Sequence, residues 1–239
     1  MGRTASRAQR SQGTTGKSKQ RNPAHLTELA SRALLVTRDA IANVRDLIEN
    51  GSALAMLEVR RCEKELDEIE RAIDDRIVTA ISGASEPAVR SLLVSLRVIT
   101  DLERVADLCL IGAERFHQFY PRPKAPVRRL LVSMTTWLQT MLAELERGFE
   151  ENDPSYARSV IHGDEELDRM RRKMLSEIIL PGKEQELTQT INLLIMVQVF
   201  ERAGDHLKNV AEELFYLVEA RSLRHLSARK RQEGLSRFA

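Results

Sequence analysis

The sequence predicts an all-α protein of six helices, arranged as two pseudo-repeated three-helix bundles. Three observations lead there. Proline is tolerated at a helix start and damaging in a helix interior, and all seven prolines fall between long segments or at their starts. Apolar residues recur at helical spacing, and no convincing run alternates with the period of two expected of a half-buried strand. The acidic pattern of the first half returns, in the same order, in the second.

Taken in order, the predicted helices are 24–49, 53–82, 86–118, 127–151, 154–179 and 183–220. The first follows Pro23 and ends at Asn50-Gly51, a helix stop. The second fills the span from that stop to the next punctuation. The third carries Pro87 at its start and places Leu102, Val105, Ala106, Cys109, Ala113 and Phe116 on one face. The fourth follows the cluster Pro121, Pro123 and Pro126, and the fifth starts at Pro154. The sixth follows Pro181-Gly182, and its stripe is Phe200, Ala203, Leu207, Val210, Ala211 and Leu214.

The Pro-rich stretch Tyr120–Pro126 separates three helices from three. Bundles of about 100 residues bury enough surface to be stable, so the expected domains are 23–119 and 127–220. Residues 1–22 lack the apolar side chains that would offset the entropy of ordering and are expected to be a disordered basic tail. Residues 221–239 form a second basic tail.

The formal net charge of +2 conceals a division. The first 22 residues contribute +6 and the last 19 contribute +5, which leaves the body at −9. An acidic body argues against nucleic acid as the main partner. Its longest apolar stretch, Leu193–Phe200, includes Gln198 and is far shorter than the ~20 residues of a membrane span. No apolar segment of a secretory leader follows Met1, so a reducing cytoplasm is expected, with Cys62 and Cys109 as buried free thiols.

The repeat identifies the chemistry. Cys62–Arg71 (CEKELDEIER) aligns with Gly163–Arg172 (GDEELDRMRR), setting Glu63 and Asp67 against Asp164 and Asp168. Leu102–Asp107 (LERVAD) aligns with Phe200–Asp205 (FERAGD), setting Glu103 and Asp107 against Glu201 and Asp205. Each half therefore carries one carboxylate-x3-carboxylate pair on its second helix and another on its third. Residues at i and i+4 share a helix face, where like charges repel by a few tenths of a kcal/mol. A divalent or trivalent cation reverses that sign, since hard cations take oxygen ligands. A lone acidic pair has no specificity at this acidic content, but four pairs in matched positions do. The expected ligands are Glu63, Asp67, Glu103 and Asp107 in one bundle, and Asp164, Asp168, Glu201 and Asp205 in the other.

The segment ERAGDHLKNVAEELFYLVE, Glu201 to Glu219, strongly resembles the C-terminal signature of the PhoU family. EPAVRSLLVSLRVITDLERVAD, Glu86 to Asp107, resembles the matching stretch of its first repeat. The resemblance spans about residues 25–220. It implies two related three-helix bundles whose acidic motifs hold multinuclear iron or zinc clusters, with manganese or magnesium suited to the same donors. It also implies a cytoplasmic regulator rather than an enzyme. Such a protein acts with the ATPase subunit of an ABC phosphate transporter and a membrane sensor histidine kinase, and represses phosphate-starvation genes when phosphate is plentiful. Homodimerisation and peripheral proximity to the membrane are compatible with that role. Departures fall in the first repeat: Ala106 where the family usually has Gly, Ile111 where the second repeat has Asn209, and Glu63 rather than Asp. They imply a first site that is weaker or takes a different ion.

Two other readings compete. A carboxylate-bridged metal cluster could support redox or hydrolytic catalysis, but Glu114-x-x-His117 is the chain's one Glu-x-x-His element and a ferritin-like centre needs two. The basic tails could attach the protein to an anionic membrane surface. His206 reads as a partly exposed surface histidine, with a place beside the metal as the alternative. Arg104 and Arg202 read as surface ion-pair partners or as groups that orient a carboxylate or phosphate.

Overall fold

The computed structural model describes residues 23–119, 122–179 and 187–223, with the side chains of 23–25, 164 and 177–179 outside the described set. Six helices make up the fold: α1 Pro23–Asn50, α2 Ala53–Ile81, α3 Glu86–His117, α4 Ala125–Glu151, α5 Pro154–Lys173 and α6 Leu187–Glu219. Among the described residues there is no strand. The helix stop expected at Gly182 and the two tails, apart from Arg221–Leu223, fall outside that set.

The punctuation acts through ordinary chemistry. Gly51 closes α1 at φ +70°, a conformation open to glycine, and donates its N–H to the Leu47 carbonyl at 2.9 Å. Ser52 then caps α2, its Oγ accepting from the Ala55 N–H at 3.1 Å. Asn152 closes α4 in the left-handed region, and Asp153 caps α5 by accepting from the Ser155 N–H at 2.8 Å. The fifth segment departs from expectation: its last six residues, Met174–Ile179, continue α5 as a π-helix rather than an α-helix.

Helices α1–α3 pack on one another, as do α4–α6, but the most extensive pairing joins the halves, α3 against α6. One continuous apolar core results, running from Ile41, Val59 and Leu102 through Phe200 to Leu138 and Leu145. Gly112 of α3 lies where the approach is tight, since a Cβ there would stand 2.8 Å from the Phe200 ring. Cys62 and Cys109 are buried free thiols, raised by burial to about 11 and about 12.

Polar groups run along the α3–α6 contact. Asp101 Oδ1 lies 2.9 Å from Nδ1 of His206 and accepts from Asn209 Nδ2 at 3.1 Å. Arg97 Nη1 lies 3.3 Å from Glu213, whose side chain is 2% exposed, and stacks over the Tyr216 ring. Aligned through the repeat, Asp101 and Asn209 correspond to Val199 and Ile111, so the departure at Ile111 is matched by an apolar partner position. A second link joins α1 to α4, through Arg38 with Glu146 at 3.2 Å and Arg45 with Gln139 at 2.7 Å.

Removing Arg97 takes the cation from a buried carboxylate. Arg97→Ala is therefore expected to cost about 2 kcal/mol, less than for a fully buried pair because Arg97 is half exposed. Adding Glu213→Gln should recover part of that loss. Urea denaturation of the two variants checks it, and equal stabilities would show that charge is not what the contact supplies.

Candidate metal centre

Two antiparallel neighbours, α2 and α3, present the first set of carboxylates. Glu63 and Asp67 project from α2, Glu103 and Asp107 from α3. Their fields overlap. Glu63 is raised by burial first, then by Asp107 and Asp67, with Arg71 opposing. Glu103 is pushed up to about 7, by burial first and then by Asp107, with Arg104 opposing and Glu70 and Asp67 adding to the rise. The helices thus bring all four expected residues of the first half together and add a fifth, Glu70, which accepts a hydrogen bond from Thr100 at 2.9 Å.

Glu103 is the least compensated member. Its side chain is 12% exposed, and its Oε2 is buried with no hydrogen-bond partner. Arg104 Nε stands 3.4 Å from that oxygen without forming a hydrogen bond. Two of the other acids turn toward arginines on their own helices: Asp67 pairs with Arg71, and Asp107 lies 3.2 Å from Arg104. Among the described residues, no three His, Cys, Asp or Glu side chains converge on a single point. Exposed ion pairs of this kind contribute about 0–1 kcal/mol, so a cation has little to displace when drawing the carboxylates inward. An all-oxygen donor set with an orphaned buried oxygen fits a hard cation.

The second set is built differently. Asp168 on α5 faces Arg171 at 3.5 Å and Arg172 at 3.8 Å, and Arg171 Nε lies 4.0 Å from Glu201 on α6. That Nε is itself buried without a hydrogen bond. Asp205 is exposed on the same helix as Glu201, and the side chain of Asp164 lies outside the described residues. Aligned through the repeat, Arg171 takes the place of Glu70. The first cluster therefore has an extra acid where the second has a base. The difference lies inside the aligned blocks Cys62–Arg71 and Gly163–Arg172, where the matched carboxylate pairs drew attention away from the acid-to-base change three positions on.

His206 does not join the carboxylates. It turns to Asp101 on α3, as Asn209 does, and serves the contact between the halves. Sequence reasoning placed it at the surface, and its side chain is 22% exposed. Asp101 and Glu213 were missed, because a polar residue on a helix carries no local sign that another helix covers it. Arg104 pairs with Glu103 and Asp107, in keeping with a role in orienting carboxylates.

Comparison with known proteins supplies the family. The PhoU domain model matches residues 30–116 and 131–214. A phosphate-specific transport system accessory protein PhoU homolog from Pseudomonas aeruginosa is 28% identical over 205 residues, covering 83% of this chain and 84% of that protein. The Rhizobium meliloti protein of the same description is 30% identical over 183 residues, covering 73% and 76%. The crystal structure of the phosphate transport system regulatory protein PhoU from Streptococcus pneumoniae superposes with a TM-score of 0.76 at 20% identity, over 84% of this chain and 96% of that one. PhoU from Pseudomonas aeruginosa gives 0.67 at 24% identity, over 86% and 98%. These two structures share the fold. With both repeats matched at the helices that carry the acidic pairs, the chain belongs to the PhoU family.

Proposed function

We propose that this protein is a non-catalytic, metal-binding regulator of phosphate uptake and signalling. Its relatives are described as accessory proteins of the phosphate-specific transport system, which favours the transporter's ATPase subunit and a membrane sensor kinase as partners. In this role it holds phosphate-starvation genes off when phosphate is plentiful. It meets these partners from the cytoplasm, as a homodimer or a single copy, and no helix among the described residues is long and apolar enough to cross a membrane.

The observation that carries the metal reading is the buried oxygen of Glu103, without a hydrogen bond, amid four further carboxylates. Glu63, Asp67, Glu103 and Asp107 would hold the ion in the first half, and Asp164, Asp168, Glu201 and Asp205 in the second. Iron or zinc is the expected metal, with manganese and magnesium as alternatives for oxygen donors. A bound cation would neutralise the acidic face and stiffen the contact between helices of each bundle. Glu70 in place of Arg171 favours tighter binding in the first half, the reverse of the order that the first-repeat departures imply.

Two outcomes are expected. Metal analysis of the purified protein should find bound metal that is lost when Asp107 and Asp205 are both changed to Ala. Asp67→Asn with Asp107→Asn should lower metal content more than Asp168→Asn with Asp205→Asn. Stoichiometric metal in the first double variant would sink the assignment.

The pH dependence of the chelator-treated protein follows from Glu103. A carboxyl raised in the folded state stabilises the fold fully below its unfolded pKa and loses that contribution as pH rises through about 7. Glu103→Gln should flatten the stability profile between about pH 5 and pH 8, and at pH 8 should exceed the parent by about 1 kcal/mol after solvent screening. Thermal melts across that range check the sign.

The regulatory role is tested by disrupting the gene. Phosphate-starvation reporters should then stay active in phosphate-rich medium, and a normal response would refute it.

A further inference from the structure

We propose that one end of the folded body docks on an anionic lipid surface. The inference does not depend on the metal reading. This end gathers the α1–α2 turn, the C-terminus of α3, the link to α4 and the N-termini of α4 and α6. Two contacts tie the first pieces together. Arg122 of the link donates from Nη1 to the Asn50 carbonyl at 3.4 Å and from Nη2 to the Gly51 carbonyl at 3.5 Å. Arg60 of α2 lies 3.3 Å from Glu114 of α3. Helix α6 begins at the same end, because it runs antiparallel to α3: Gly112 meets Phe200, Asp101 meets His206 and Arg97 meets Glu213.

Charge at this end opposes that of the rest of the body. Residues 49–61 and 114–129 hold seven Lys and Arg against three acids, Glu49, Glu58 and Glu114. Glu58 and Glu114 are already answered by Arg61 and Arg60. Arg115, Arg128 and Arg129 form no ion pair among the described residues. Apolar side chains project beside these bases. Leu54 and Leu57, at i and i+3 on the first turns of α2, are 65% and 61% exposed, and Leu187 on the first turn of α6 is 76% exposed. A single exposed leucine is ordinary. Three at one end, among arginines that lack counter-charges, make an interfacial anchor: the leucines enter the headgroup region and the arginines meet lipid phosphates.

Complementarity also fixes the orientation. An anionic bilayer repels the acidic body and attracts this end. Glu63, the nearest acid of the first carboxylate cluster along α2, lies six residues beyond Leu57. That is about 9 Å along the helix, or about one screening length at physiological salt. A nucleic acid would use the bases and leave the leucines in water, whereas a bilayer uses both.

The test uses the full-length protein, so that both basic tails are present in every sample. Its sedimentation with vesicles of phosphatidylglycerol and phosphatidylcholine in equal parts is compared with phosphatidylcholine alone at physiological salt. Partition should be at least about tenfold higher on the anionic vesicles. Arg128→Glu with Arg129→Glu should lower it at least about tenfold, since each Lys or Arg near such a surface contributes about fivefold. Leu54→Ser with Leu57→Ser should lower it about fivefold. Val78→Ser, at an exposed position near the other end of α2, should leave it unchanged. In Leu57→Trp, lipids brominated on the acyl chain should quench the new tryptophan, while Trp137, the parent's one tryptophan, stays unquenched. Attachment by the tails alone would leave both double variants at the parent value and overturn the proposal. So would equal partition on the two vesicles, an unquenched Leu57→Trp, or no partition at all, the result expected if an acidic protein surface is the true partner.

Discussion

The fold depends on the contact of α3 with α6. Each three-helix set covers its own apolar stripe, yet the core does not end at its boundary. Phe200 is fully buried where Gly112 allows close approach, and residues of both sets form one cluster. Apolar packing supplies the driving force, but it is non-directional. The polar groups beside it fix the register: Asp101 answers both His206 and Asn209, and Glu213 is held by Arg97. A helix sliding by one turn would bury these groups without partners, at about 1–3 kcal/mol for each.

That contact gives α3 and α6 two duties on different faces. On α3, Asp101 turns toward the other half while Glu103 and Asp107 turn toward α2. On α6, His206, Asn209 and Glu213 turn toward α3, while Glu201 lies on the side of α5 and its Arg171. The run Glu201 to Glu219 thus encodes a carboxylate pair and an interface in one stretch. Much of its distinctive sequence, His206, Asn209 and Glu213 among it, serves assembly of the two halves rather than the acidic site.

Helix number and order were legible because proline, glycine and apolar period act locally. Gly51 and Pro154 mark their boundaries without help from distant residues. The acidic pairs were legible for another reason: the fold repeats, so the sequence aligns with itself. The interface lacked both advantages. Asp101 and His206 are 105 residues apart, and their pairing crosses the pseudo-symmetry that the alignment exposes, with Val199 and Leu108 in the matching places. The π-helical end of α5 has no sequence signature that separates it from an ordinary helix.

Three buried polar atoms among the described residues have no hydrogen-bond partner: Oε2 of Glu103, Nε of Arg171 and Oε1 of Glu146. A folded protein ordinarily leaves few such atoms, because each carries a desolvation cost of about 1–3 kcal/mol. Here they are not scattered. One lies in the first carboxylate cluster, one in the second and one beside Arg38 at the junction of the bundles. The first and third are carboxylate oxygens, whereas the second is a guanidinium nitrogen occupying the place that an acid holds in the other repeat. Both carboxylates already have an arginine beside them, Arg104 at 3.4 Å from Glu103 and Arg38 at 3.2 Å from Glu146, so each lacks a hydrogen bond on one oxygen rather than a counter-charge. The two halves share a fold, yet where the first cluster carries the acid Glu70 the second carries the base Arg171.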